Sequence, residues 1–176
     1  MLAMTQKITG YGLREALRSW ERRRDVAASS FSDSLRAFPD DKKELPKAIF
    51  DEFTRAEHAI AALQEAQARY NLLLTVPYRD GGITLCRAVK LLGGAGRGSR
   101  MWRDATGGGK RDPYYRAEET RQKDTTYQRR TISQADCLKE AAAADKAAGQ
   151  LREGIARANG VEVSIDDIGL DAALLV

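Results

Sequence analysis

Apolar positions recur at alternating spacings of three and four along much of the chain. Leu13, Leu17, Trp20, Arg24, Ala27 and Phe31 form one such row. Ile49, Phe53, Ala56, Ile60, Leu63, Gln67, Tyr70 and Leu74 form a longer one. Rows of this spacing lie on one face of an α-helix. The first predicts a helix from about residue 10 to 31 or beyond, with Thr9 as its N-cap. The second predicts a helix opened by Pro46, whose missing N–H would be unpaired in a first turn anyway, and closed near Leu74, because Pro77 pushes Val76 out of helical geometry. Phe38-Pro39-Asp40-Asp41 reads as the turn between them, so an antiparallel hairpin is expected. The second row holds the a/d spacing of a coiled coil for more than three heptads, which speaks for assembly with another helix. Arg24 stands within the first row, where a charged head must snorkel or find a carboxylate.

Further along, Asp80-Gly81-Gly82 predicts a turn, with Thr84 capping a third helix that carries Leu85, Val89, Leu92 and Trp102. Gly93, Gly94, Gly96 and Gly98 interrupt it, each costing about 1 kcal/mol against alanine in a helix interior. Either the helix breaks there or a neighbour approaches so closely that only glycine fits. Thr125 to Ile132 alternate as a strand does, so a small β arm over about residues 112–133 is expected. Ser133 caps a last helix ending at Asn159-Gly160, in which Leu138, Ala141, Asp145, Ala148, Arg152, Ile155 and Asn159 stand three or four apart on a small face that lets a neighbour approach closely. Val161 to Ile165 suit a strand, and the apolar end at Leu170 to Val176 needs cover. The fold class expected is mainly α: an antiparallel long-helix bundle or coiled coil, with the β arm before its last helix. Residues 1–160 form the helical domain. Residues 161–176 form a tail docking on the body or on a neighbouring subunit.

Composition sharpens this picture in two places. The apolar fraction of 43% is alanine-rich and poor in aromatics at 7%, so each buried residue hides little area and a partner chain would help. The net charge of +4 is unevenly placed: residues 160–176 hold Glu162, Asp166, Asp167 and Asp171 with no Lys or Arg, leaving +8 on the rest. A basic body and an acidic tail can bind each other within or between copies, or the body can bind an anion. Cys86 and Cys137 lie far apart without CxxC spacing, which argues against a disulfide framework or a zinc site. Lys7, Arg14 and Arg18 break any apolar leader, and no stretch approaches the ~20 apolar residues of a membrane span, so a cytoplasmic protein without membrane partners is expected.

Candidate chemistry is sparse. The glycine-rich segment 93–111 offers backbone N–H groups to an anion, but Gly107-Gly108-Gly109-Lys110 is followed by Arg111, not Ser or Thr, so it is not a P-loop. From Arg97 to Arg130 ten Lys or Arg stand against five acids, interleaved with Trp102, Tyr114, Tyr115 and Tyr127. Cations give phosphate affinity and aromatic faces stack on bases. Arg97, Arg100, Arg103, Lys110, Arg111, Arg129 and Arg130 are the candidate anion or nucleic-acid contacts. His58 has no second ligand nearby in sequence, and Asp145 with Arg152 suggests an ion pair across an interface. No catalytic, cofactor or metal residues are assigned.

Three places are similar to a family of small bacterial proteins of unassigned function, sometimes labelled septicolysin-like. They are the Leu13-Arg14-Glu15-Ala16-Leu17 opening of an arginine-rich helix, the Tyr70-Asn71-Leu72 end of a long helix followed by Asp80-Gly81-Gly82-Ile83-Thr84-Leu85-Cys86-Arg87-Ala88, and the polar arm Thr125 to Ser133 leading into the last helix. The resemblance spans about residues 9–160. Gly93 to Gly98 and the tail from Val161 to Val176 depart from it. It implies a mostly helical, oligomer-forming protein and brings no catalytic residues. Pattern and resemblance together favour a self-assembling structural protein with itself as partner. Ile49, Phe53, Ile60, Leu63, Tyr70, Leu74, Leu174 and Leu175 are its expected oligomer interface. A nucleic-acid-binding protein using 97–130 is the alternative, and an enzyme or anion-binding protein using 93–111 is third.

Overall fold

A computed structural model describes residues 6–36, 45–108 and 132–175. The fold is mainly α. A short strand β1 (Lys7–Ile8) leads into α1 (Gly10–Ser34), which pairs with α2 (Pro46–Leu73). A hairpin of β2 (Thr75–Tyr78) and β3 (Gly81–Thr84) then turns the chain into α3 (Leu85–Arg103) and a π-turn (Asp104–Gly108). Helix α4 (Gln134–Asn159) packs along α3, and β4 (Val163–Ser164) follows. The β arm expected over 112–133 lies outside the described residues except for its last two, and Ser133 serves as the α4 cap.

Local chemistry sets the helix ends. Thr9 accepts from the Gly12 N–H at 3.1 Å, Thr84 from Arg87 at 3.3 Å and Ser133 from Asp136 at 3.1 Å, so three N-caps act where the sequence places them. Pro46 opens α2 without a side-chain cap. The hairpin was not expected, because Pro77, Gly81 and Gly82 are poor strand formers. Its register runs Thr75↔Thr84 to Tyr78↔Gly81, and Arg79 at the turn takes φ +52°.

The core gathers where the two helix pairs meet. Leu13, Trp20, Ile60, Leu63, Tyr70, Val76, Leu85 and Leu151 are buried in it. The tail completes it: β4 pairs antiparallel with β1, Ile8 facing Val163, and Val163, Ile165, Ile168 and Leu170 are buried. Leu174 and Leu175 are half-buried, and the Leu174 carbonyl accepts from Trp20 Nε1 at 3.0 Å. Asp166, Asp167 and Asp171 are exposed, and among the described residues none is ion-paired to a cation. The tail therefore docks through its leucines and isoleucines, while its acids face outward.

The glycine run corrects both expectations made for it. Helix α3 continues unbroken through Gly93 to Gly98, and a Cβ added at Gly94, Gly96 or Gly98 would meet nothing within 4 Å. The buried or half-buried face of α3 runs Leu85, Ala88, Leu92, Ala95, Ser99 and Trp102, so these glycines fall away from it. Packing of this face holds the helix despite its poor propensity.

Candidate functional site

The heptad row of α2 finds its partner inside the chain. Ile49, Ile60, Leu63 and Tyr70 are buried, and α2 packs along α1, whose Leu13, Trp20 and Ala27 face inward. Heptad spacing marks a face meant for a helix but does not say whose helix. Of the expected interface, Phe53, Leu74, Leu174 and Leu175 remain half-accessible. Arg24, on the α1 seam, bonds Asp25 at 2.8 Å and lies 3.7 Å from Glu57 of α2. The Asp25 hydrogen bond raises its pKa above the ordinary arginine value.

The end of the α1–α2 hairpin far from the core is different. The rings of Phe31 and Phe50 lie 6.3 Å apart, as do those of Phe50 and Phe53, a spacing at which aromatic pairs attract. Phe50 is 55% exposed, Leu45 73%, Val26 64% and Leu35 61%. An open groove of about 440 Å³ between the helices is floored by Val26, Ala27 and Ile49 and flanked by Arg22, Arg23 and Glu52. Arg23 stacks on Trp20 at 4.5 Å. Among the described residues, four exposed apolar side chains are thus grouped at one end of the hairpin. The α2 pattern hid this grouping, since Leu45 and Phe50 stand off the heptad row.

At the core end, Tyr70 organises the junction. Its hydroxyl lies 2.8 Å from the carbonyl oxygens of Ala158 and Val161 and shares its proton between them. Burial raises its pKa above the ordinary value. A Cβ at Gly10 would fall 2.5 Å from Asn159 Oδ1 and 2.9 Å from the Tyr70 ring, and one at Gly154 would fall 2.5 Å from Val76 Cγ1. This is a structural joint between α1, α2 and α4.

On α3 the expected anion contacts separate. Arg103 is bound to Asp145 of α4, so Asp145 makes its ion pair within the chain and with Arg103, not Arg152. Hydrogen bonds from Ser99 and then Arg103 hold the Asp145 carboxyl below the usual carboxylate range. Arg97 and Arg100 are exposed and make no ion pair among the described residues. Lys110, Arg111, Arg129 and Arg130 lie outside the described residues, as do Tyr114, Tyr115 and Tyr127. His58 is exposed on α2, Cys86 and Cys137 are free thiols, and no group of His, Cys, Asp or Glu able to hold a metal occurs among the described residues. No described helix is long and apolar enough to cross a membrane.

No family model and no curated protein matches the chain. A solved structure does: the crystal structure of a functionally unknown conserved protein from Corynebacterium diphtheriae, with a TM-score of 0.61 and 17% identity, covering 90% of this chain and 100% of that one. At that identity the likeness concerns the fold.

Proposed function

We propose that this chain is a self-associating structural or interaction protein, with a second copy of itself as partner and no catalytic chemistry of its own. The observation that carries the reading is the aromatic row Phe31–Phe50–Phe53 with Val26, Leu35 and Leu45 around it at the far end of the α1–α2 hairpin. The heptad row cannot serve in full, because its larger residues are already covered within the chain. The hairpin end offers apolar side chains whose burial lowers the free energy of association. Two copies meeting there by a twofold axis would bring the same residues together from both sides. The groove flanked by Arg22, Arg23 and Glu52 supplies a polar rim.

Sedimentation velocity over the micromolar range tests this. The wild-type chain is expected to sediment heavier than a monomer, with a concentration-dependent distribution. Phe50→Asp together with Leu45→Asp should weaken association at least about tenfold. Both side chains are exposed, so the helical circular dichroism should stay unchanged. A wild-type monomer throughout the range would overturn the reading.

A further inference from the structure

Charge is distributed in α3 as it is in no other long helix of the described chain. The other long helices mix both signs, and five of their cations pair with acids one turn away: Arg18 with Glu15, Lys47 with Asp51, Arg55 with Glu52, Arg69 with Glu65 and Arg157 with Glu153. Such pairs cancel locally and leave little field. Between Leu85 and Arg103 there is no Asp or Glu at all. Arg103 is neutralised by Asp145 on the side of α3 facing α4. Arg87, Lys90, Arg97 and Arg100 are all exposed and make no ion pair among the described residues. Asp104, just past the last turn, is also exposed and not paired to them.

These four cations share a side of the helix. At 3.6 residues per turn, Lys90, Arg97 and Arg100 fall within about 80° of one another, with Arg87 on their flank, opposite the buried row from Leu85 to Trp102. Arg87 to Arg100 spans about 20 Å, the rise of roughly six base pairs. Gly93 and Gly94 stand in the middle of the stripe. A Cβ at Gly94 would meet nothing, and one at Gly93 only the Arg97 guanidinium at 3.5 Å. The helix backbone is therefore bare between the cations, and a rigid polyanion can approach it closely. Trp102 lies on the other side, half-buried, so among the described residues this face presents no ring for base stacking.

We infer that the outer face of α3 is a docking track for the phosphate backbone of duplex nucleic acid, bound through Arg87, Lys90, Arg97 and Arg100 without base readout. Four guanidinium and ammonium groups along a line, without an ion pair among the described residues, match a line of phosphates. A straight helix holding cations over about 20 Å suits the fixed spacing of phosphates along a duplex, whose charges are already ordered before binding. This goes beyond self-association and does not rest on it.

Fluorescence anisotropy with a labelled mixed-sequence duplex tests the inference. Four phosphate contacts predict a slope of about −3.6 in log K against log salt, hence roughly a hundredfold loss of affinity between about 50 and 200 mM salt. Arg97→Gln with Arg100→Gln should flatten the slope by about 1.8. Arg55→Gln with Arg157→Gln, equally exposed but carboxylate-paired, should leave it unchanged. A scrambled duplex should bind alike, and a single strand more weakly. No binding at the lower salt, or binding to which the α3 variant is indifferent, would overturn the inference. If the α3 variant instead abolishes salt-sensitive self-association, the stripe belongs to the exposed acids of a second copy and the nucleic-acid reading fails.

Discussion

Glycines in this chain act in opposite senses, and space around them decides which. At Gly10 and Gly154 a methyl group would strike Asn159, Tyr70 or Val76 at 2.5–2.9 Å. Gly10→Ala should therefore cost about 1–3 kcal/mol, the usual range for overpacking. At Gly96 and Gly98 the same change meets open space in mid-helix. Each should gain about 1 kcal/mol, or about 2–4 °C in thermal midpoint. Thermal melts of the single variants check both signs. Tyr70→Phe removes the hydroxyl, but the Ala158 carbonyl keeps the Val161 N–H at 3.1 Å and Val161 is exposed, so the change should cost about 0.5–1.5 kcal/mol, the net worth of one hydrogen bond. Asp145 supplies a pH test. Its folded pKa is depressed, mainly by Ser99 and next by Arg103, so its contribution is present above its ordinary value of 3.8 and lost as pH falls through the lower folded value. The difference in thermal midpoint between wild type and Asp145→Asn should be largest near neutral pH and vanish in strong acid. A constant difference would mean that the charge is not what matters.

Among the elements, the tail turns from accessory to core. Val163, Ile165, Ile168 and Leu170 are buried, and β4 closes over Ile8. Four such side chains contribute about 1.5–3 kcal/mol each as an upper estimate, before the entropy of ordering the segment. A chain ending at Gly160 should thus melt far below the full chain or not fold cooperatively; circular dichroism melting decides. An unchanged midpoint would show that the tail only rests on the body. The four helices, their caps and the tail strand could be read from the sequence because caps, proline and period are local signals: Thr9, Pro46, Thr84, Ser133 and Gly160 act where they stand. Three features could not. The β2–β3 hairpin is held by buried Val76 packing on α4 at Gly154 and by its junctions to α2 and α3, against the propensities of Pro77 and Gly82. The glycines of α3 are helical because the opposite face packs on α4. The α2 row shows a helix-binding face but not that α1 of the same chain fills it, so the exposed surface at Phe50 and Leu45 emerges only once that pairing is known.

At the scale of the molecule, these placements make stability uneven. The buried residues concentrate where α1 begins and where α2 and α4 end, around Leu13, Tyr70, Val76 and Leu151, with the tail sealing that junction. The α1–α2 hairpin reaches away from it; α2 alone, at 28 residues, is about 42 Å long. Among the described residues at its far end only Ala27 and Ile49 are buried, while Phe31 and Phe53 are half-covered and Phe50 is open. Backbone amides there should open at small local cost, whereas those beside the buried Tyr70 should open only with global unfolding. Hydrogen exchange on a dilute sample should show a gradient of protection along both helices, lowest near residues 26–34 and 46–53. The proposed self-association through that end would stabilise whatever it covers by mass action. Raising protein concentration should therefore slow exchange at those two segments first and leave the Tyr70 junction unchanged. If concentration instead slows exchange along α3, the cationic stripe is the contact between copies. If it slows nothing, the hairpin end stays open, and the proposed self-association through the phenylalanines is lost.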